Sequence, residues 1–399
     1  MSDAASATTL GGIPQAVAAL AVGGTALLVA FASLTRPAAR LARWPLASAL
    51  LGGGWIALAC GLLLGPAGIG LLKVESLGEL RPLTQVGLAW IGLLVGLQMK
   101  STLLAAVPPT LWRWSVLDAV VSFLCAATVT GLVLRWAAPT APLRVLWPVM
   151  SLVAAGTIGW SGELRSLRGL DTRAASVASL VQGGAGLGSA LAIVCADLIS
   201  LSPDGSRPLL ATLAVATAAA FSLRAVLGST AGTDGRLTLA LLGTLALIAG
   251  ASASVSTSPL PGAFLLGLVV TNLRGAPMRR LERLVAESEP AVAAVFFLLA
   301  GMLLRAGFGW WPWLVAGGVL ALRVLAKPVM AHLALGDAWS ATGASALRPA
   351  TVRQAPIAVA LAVAALQARD GEDQRGALLA VVAIGVASGV LPLLWRRRG

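Results

Sequence analysis

An all-α polytopic membrane protein is the fold class this sequence predicts, and three observations predict it. Hydrophobic residues make up 58% of the 399-residue chain and charged residues only 11%. Apolar runs of roughly 17–25 residues, each long enough to span a bilayer, recur almost to the last residue. The basic residues between those runs divide unequally between two sides, as loops sorted by a membrane do. The pattern predicts about thirteen spans, at 13–33, 46–64, 83–99, 111–137, 143–160, 174–200, 208–227, 237–256, 260–273, 288–305, 310–334, 350–367 and 376–395.

The formal net charge is +13, but it is spread between spans and not gathered on one face, which argues against a nucleic-acid partner. Arg36, Arg40, Arg43, Arg165, Arg168, Arg279, Arg280 and Arg396–Arg398 are among those on one side. The opposite side, with Lys73, Arg81, Arg135 and Arg207, holds about half as many basic residues. The richer side is expected to be cytoplasmic, with the N-terminus outside and the C-terminus inside. The first residues carry no basic stretch ahead of an apolar one, so no cleaved signal peptide is expected. The chain stops just past the last span, so one transmembrane domain over 1–399 with no soluble regulatory domain is expected. Cys60, Cys125 and Cys195 fall within spans and read as small apolar residues. No metal-ligand spacing, cofactor motif or nucleophile–base pair occurs, so neither metal, cofactor nor enzymatic activity is expected. The thirteen tryptophans gather near span ends, as in Trp310-Trp311-Pro312-Trp313, an interfacial belt. His332 reads as a residue at a span end.

The first span is uncharged and peripheral. The second ends in GLLLGPAGIGLL, where Gly65-Pro66 breaks the helix. In the third, Gly87, Gly92 and Gly96 are spaced for close helix packing. The fourth holds one acid, Asp118, which reads either as a structural partner of Arg113 or as a functional carboxylate. In the fifth, Gly156-Thr157-Ile158-Gly159 predicts a helix break that frees backbone carbonyls for a solute.

The sixth span carries a polar, glycine-rich patch, Gln182-Gly183-Gly184 with Gly186, Gly188 and Ser189, at mid-membrane depth. Such groups face protein or a solute path. Asp197, near its outer end, reads as an interfacial anchor. Spans seven and eight are plain apart from Arg224 and the small polar run at 251–258. The ninth is short and glycine-rich, and the tenth begins at Glu289-Pro290. The eleventh places Arg323 and Lys327 one turn apart on one face, each costing about 2.5–3.5 kcal/mol at a helix centre. They require partners or a purpose. The twelfth carries Arg353, Gln354 and Pro356, and the thirteenth is plain. Spans two to six and nine to thirteen share a rhythm of broken and plain helices, so inverted repeats are expected. The predicted site lies where spans five, six, eleven and twelve meet.

Several blocks, in order, resemble one family. GLLLGPAGIGLL (61–72), GLAWIGLLVGLQM (87–99), PGAFLLGLVV (261–270), the Glu-Pro…FFLLAGM run (289–302) and LRVLAKPV (322–329) are similar to those of the monovalent cation:proton antiporters. The likeness is to the Kef-type and bacterial sodium/proton exchanger branch. The resemblance implies a thirteen-helix fold in the bacterial-type inner membrane, working as a homodimer. It implies core helices at about 111–200 and 310–395, scaffold helices at about 13–99 and 208–305, and crossed broken helices in spans five and twelve. It also implies exchange of sodium or potassium for protons by movement of the core.

Carried onto this chain, the Gln-Asp pattern of the family's sixth span falls on Gln182 and Gly183, so the acid is replaced. Thr157 matches the threonine of the crossed-helix motif, with Ile158 in place of Asp or Ser, and Lys327 matches the basic residue. The candidate ion-binding residues are therefore Thr157, Gln182, Gly183, Lys327, Arg323 and Asp118. Without the sixth-span acid, Arg323 and Lys327 leave the centre positive, and Asp118 is the carboxylate able to substitute. The expected partners are a monovalent cation and a proton, or a small anion, together with the lipid bilayer. The alternatives are an anion or neutral-solute transporter on the same fold, or a non-transporting membrane scaffold.

Overall fold

The computed structural model describes residues 55–66, 68, 81–106, 109–158, 187–195, 207–229, 234–272, 276–304, 309–335, 354, 357–368 and 372–396. The described elements are α-helices: α1 (Trp55–Leu64), α2 (Arg81–Leu97), α3 (Ser101–Ala106), α4 (Pro109–Ala137), α5 (Leu143–Ile158), α6 (Arg207–Ser229), α7 (Asp234–Ser254), α8 (Leu260–Asn272), α9 (Ala276–Leu303), α10 (Trp311–Leu335), α11 (Ile357–Ala368) and α12 (Glu372–Arg396). A further helical stretch covers 187–195. The first span and the Gln182–Gly183 patch lie outside the described residues.

Helix ends fall where the chain's chemistry places them. α1 stops at Leu64 because Gly65-Pro66 follows, and the Gly65 amide still closes onto the Gly61 carbonyl at 2.8 Å. α4 begins at Pro109, where a missing N–H costs nothing. With 29 residues it is about 43 Å long, enough to cross a bilayer with tilt.

One expectation is corrected. The apolar pattern starts the tenth span at Glu289-Pro290, but α9 starts at Ala276. Its charged first half is helical because Leu281 and Val285, one turn apart, are fully buried in an apolar cluster. Hydropathy alone could not see this, since the charges around those two residues mask the stripe.

The chain forms two compact units. In the first, residues 1–84 with 288–308, α1 lies against the end of α9. A Cβ at Gly61 would overlap the Leu298 carbonyl, and one at Gly301 the Leu58 carbonyl.

The second unit, residues 85–287 with 309–399, contains two helix groupings. In one, α6, α7 and α8 pack together with α2 around Leu93, Leu241, Leu245, Ile248 and Leu266. Here α2 crosses α8 with backbones touching, since a Cβ at Gly92, Gly96 or Gly267 would meet main-chain atoms of the opposing helix. Small residues permit that approach. The crossing is pinned at its ends. Thr271 Oγ1 donates to the Leu97 carbonyl at 3.2 Å, and Asn272 Nδ2 donates to the Met99 carbonyl at 3.3 Å.

In the other grouping, α4 packs against α5 and α10, while α12 packs against α10, α11 and α5. α11 is central: Ile357 to Val363 are buried on every side. The outward faces of the unit are apolar, as at Leu132, Trp136, Leu239 and Leu333, exposed by 68%, 70%, 72% and 71%. Such faces suit lipid and not water. Trp112–Ala137 and Gly235–Ser254 are each long and apolar enough to cross a membrane.

Candidate functional site

α4 and α10 run antiparallel in tight register. Asp118 meets Lys327, Val129 lies where a side chain on Gly318 would go, and Trp136 packs against Trp310 with ring centroids 4.4 Å apart and planes tilted by 58°. On α4 the buried face includes Ser115, Asp118, Ser122 and Thr130; on α10 it includes Val319, Arg323 and Lys327. Both sets follow the spacing of three or four residues that aligns one helix face. These faces bring the charges together deep in the protein.

Lys327 Nζ donates to Asp118 Oδ2 at 2.6 Å, with side chains 2% and 4% exposed. Ser122 Oγ, one turn along α4, lies 3.4 Å from Asp118 Oδ1 and donates to it. Arg113, the sequence neighbour considered as a partner for Asp118, is exposed. Five residues separate Arg113 from Asp118, so the two point to different helix faces, whereas the α10 register delivers Lys327.

The end of α5 supplies the second part of the site. Its last carbonyls have no intrahelical backbone partners, and side chains from α5, from α10 and from Gln354 meet them. Thr157 Oγ1 donates to the Ala154 carbonyl at 2.6 Å and lies 3.3 Å from that of Ser122. Gln354 Nε2 donates to the Gly156 carbonyl at 3.0 Å, and an Arg323 guanidinium N–H donates to the Thr157 carbonyl. Gln354 is itself held through its backbone N–H, which donates to Ser388 Oγ at 3.1 Å. The helix break expected to free carbonyls for a solute thus has two of them covered, by Arg323 and Gln354. A guanidinium at a helix C-terminus also complements the negative end of the helix dipole.

Between these parts lies a cavity of about 10 Å³ lined by Ser122, Cys125, Thr157, Arg323 and Lys327 among others. That is room for about one water-sized particle. Counted from Pro109 at 1.5 Å per residue, Ser122 and Cys125 sit about 20–24 Å along α4, near its middle. Two cationic side chains face one carboxylate here.

Of the six sequence candidates, Asp118, Thr157, Arg323 and Lys327 are brought together. Gln182 and Gly183 lie outside the described residues. Ser122 was missed, although its position four residues after Asp118 was the available signal. Gln354 stood out in the sequence only as a polar residue beside a helix breaker; its role at Gly156 came with the fold. The site belongs to the class of helical bundles with a charged, nearly closed centre at mid-depth.

No family model and no curated protein matches the sequence. The structure is similar to that of the sodium proton antiporter MjNhaP1 from Methanocaldococcus jannaschii at pH 8, with a TM-score of 0.64 and 17% sequence identity. The match covers 94% of this chain and 97% of that chain. The chain therefore has the all-helical fold of that antiporter.

Proposed function

We propose that this protein is an integral membrane transporter that exchanges a monovalent cation for protons, with Asp118 as the shared ligand. The observation that carries this reading is the buried Lys327–Asp118 pair at 2.6 Å, beside a cavity at mid-depth of α4. The likeness to a sodium proton antiporter supports it.

The proposed mechanism follows from competition. A carboxylate that holds an ammonium cannot at the same time hold a sodium ion without leaving an uncompensated positive charge in a low-dielectric centre. A cation that reaches Asp118 displaces Lys327, and release of a proton from Lys327 relieves the excess charge. Return of the proton restores the pair and expels the cation. Ser122 and Thr157 supply oxygens beside Asp118, and Arg323 holds the end of α5 in place. Gln182 is a further proposed ligand, and Gly183 falls where the antiporters that the sequence resembles carry their acid. Core helices at about 111–200 and 310–395 move against scaffold helices at about 13–99 and 208–305. The protein works as a homodimer in a bacterial-type inner membrane, with its C-terminus in the cytoplasm.

One observation favours a second reading. Arg323 and Lys327 together outweigh Asp118 around the cavity, which suits a small anion such as chloride. Proteoliposomes loaded with a pH-sensitive dye distinguish the two. Sodium, potassium or lithium is expected to trigger a pH change that Asp118→Asn abolishes. A response to chloride or small carboxylates, with silence to every cation, would replace antiport with anion transport.

A further inference from the structure

The α4 face that carries Asp118 holds one more polar group than the ion pair uses. Ser115, Asp118, Ser122 and Cys125 follow at intervals of three, four and three residues, so they align along one side of the helix. Ser122 is engaged by Asp118, and Cys125 lines the cavity. Ser115 is 4% exposed, and its hydroxyl has no hydrogen-bond partner among the described residues.

The other half of α4 behaves differently. Thr128 and Thr130 turn their hydroxyls back onto their own helix, to the Leu124 and Ala126 carbonyls at 2.8 and 2.7 Å. These two hydroxyls therefore have their donor requirement met within the helix. Ser115 keeps both lone pairs and its proton uncommitted in a place without solvent, where an unmet polar group is costly. It lies about 9 Å from the start of α4, between Pro109 and Asp118 at about 13–14 Å. The only uncommitted hydroxyl among the described α4 side chains therefore stands on the N-terminal side of the ion pair.

We propose that Ser115 is the approach ligand for the transported cation, which reaches Asp118 from the N-terminal end of α4. This rests on the reading of Asp118 as a cation site. The serine oxygen takes over part of the cation's hydration shell before the carboxylate does, and the hard oxygen suits sodium or lithium. The cation then passes one turn along the helix to Asp118, where it meets Lys327.

Two experiments test the assignment. Ser115→Cys is placed in a chain whose native Cys60, Cys125 and Cys195 are replaced by alanine, and the protein is sealed into liposomes. A charged, membrane-impermeant methanethiosulfonate is expected to label it from the side of the α4 N-terminal end, and sodium or lithium to slow the labelling. Labelling only from the opposite side, or none from either, overturns the route. In the chain with its native cysteines, Ser115→Ala is expected to raise half-saturating sodium about five-fold, the loss of one neutral ligand. KM rises more than kcat falls, and a KM equal to that of the native protein overturns the ligand role. If the native protein moves no cation, the antiport reading fails by itself, while the labelling pattern still decides whether this face opens to solvent.

Discussion

The α2–α8 crossing and the α4–α10 contact sit in the same unit and solve helix packing in opposite ways. At the first, glycines let two backbones touch beside an apolar cluster. At the second, the helices meet around Asp118, Lys327 and Arg323, all 3% exposed or less. Close backbone packing is an economical way to join apolar helices. Buried charges are a costly one, because desolvation opposes them and only good pairing offsets it. The chain uses close backbone packing at the first contact and buried charges around a cavity at the second, which agrees with the role proposed for the α4–α10 contact.

The comparison can be broken most sharply at Lys327. Lys327→Ala leaves Asp118 buried and unpaired, and a loss of about 3–5 kcal/mol is expected, read as thermal stability in detergent. Asp118→Asn combined with Lys327→Met is expected to recover most of that stability but no ion exchange. If the double variant is as unstable as the single one, the pair serves architecture before transport. A smaller effect is expected at the other contact. Gly267→Leu pushes a side chain into the α2 backbone, at a cost of about 1–3 kcal/mol or more, and stability close to that of the native chain would show that α2 and α8 can separate freely.

The smallest expected effect lies away from both contacts. Ser256, just after α7, has φ of 54°, a left-handed conformation that disfavours a side chain. The turn is closed by the Thr257 amide donating to the Ser252 carbonyl at 2.9 Å. Ser256→Gly is expected to gain about 1 kcal/mol with ion exchange unaltered, again by thermal denaturation. A loss of stability would mean that the serine hydroxyl matters more than the backbone strain.

Much of this was legible in the chain. Apolar run length located most helices to within a few residues, because the bilayer thickness sets a fixed requirement. Gly92 and Gly96 were readable as contact residues from spacing, and Asp118, Arg323 and Lys327 stood out because intramembrane charge is expensive. The start of α9 was not legible, since its apolar stripe at Leu281 and Val285 is visible only against the helices it packs on. The Arg323 and Gln354 caps on α5 were equally hidden: an uncapped carbonyl and a distant amide carry no mark of one another.

The sequence by itself determined that the chain is helical, apolar on its outer faces, and supplied with one acid and two bases at depth. Those are consequences of composition and periodicity, which act locally. Only the tertiary structure decided that Asp118 takes Lys327, 209 residues away, instead of Arg113, five residues before it. Sequence proximity sets which groups are near along the chain, but helix rotation and antiparallel register set which ones face each other. A buried charge answers to the second.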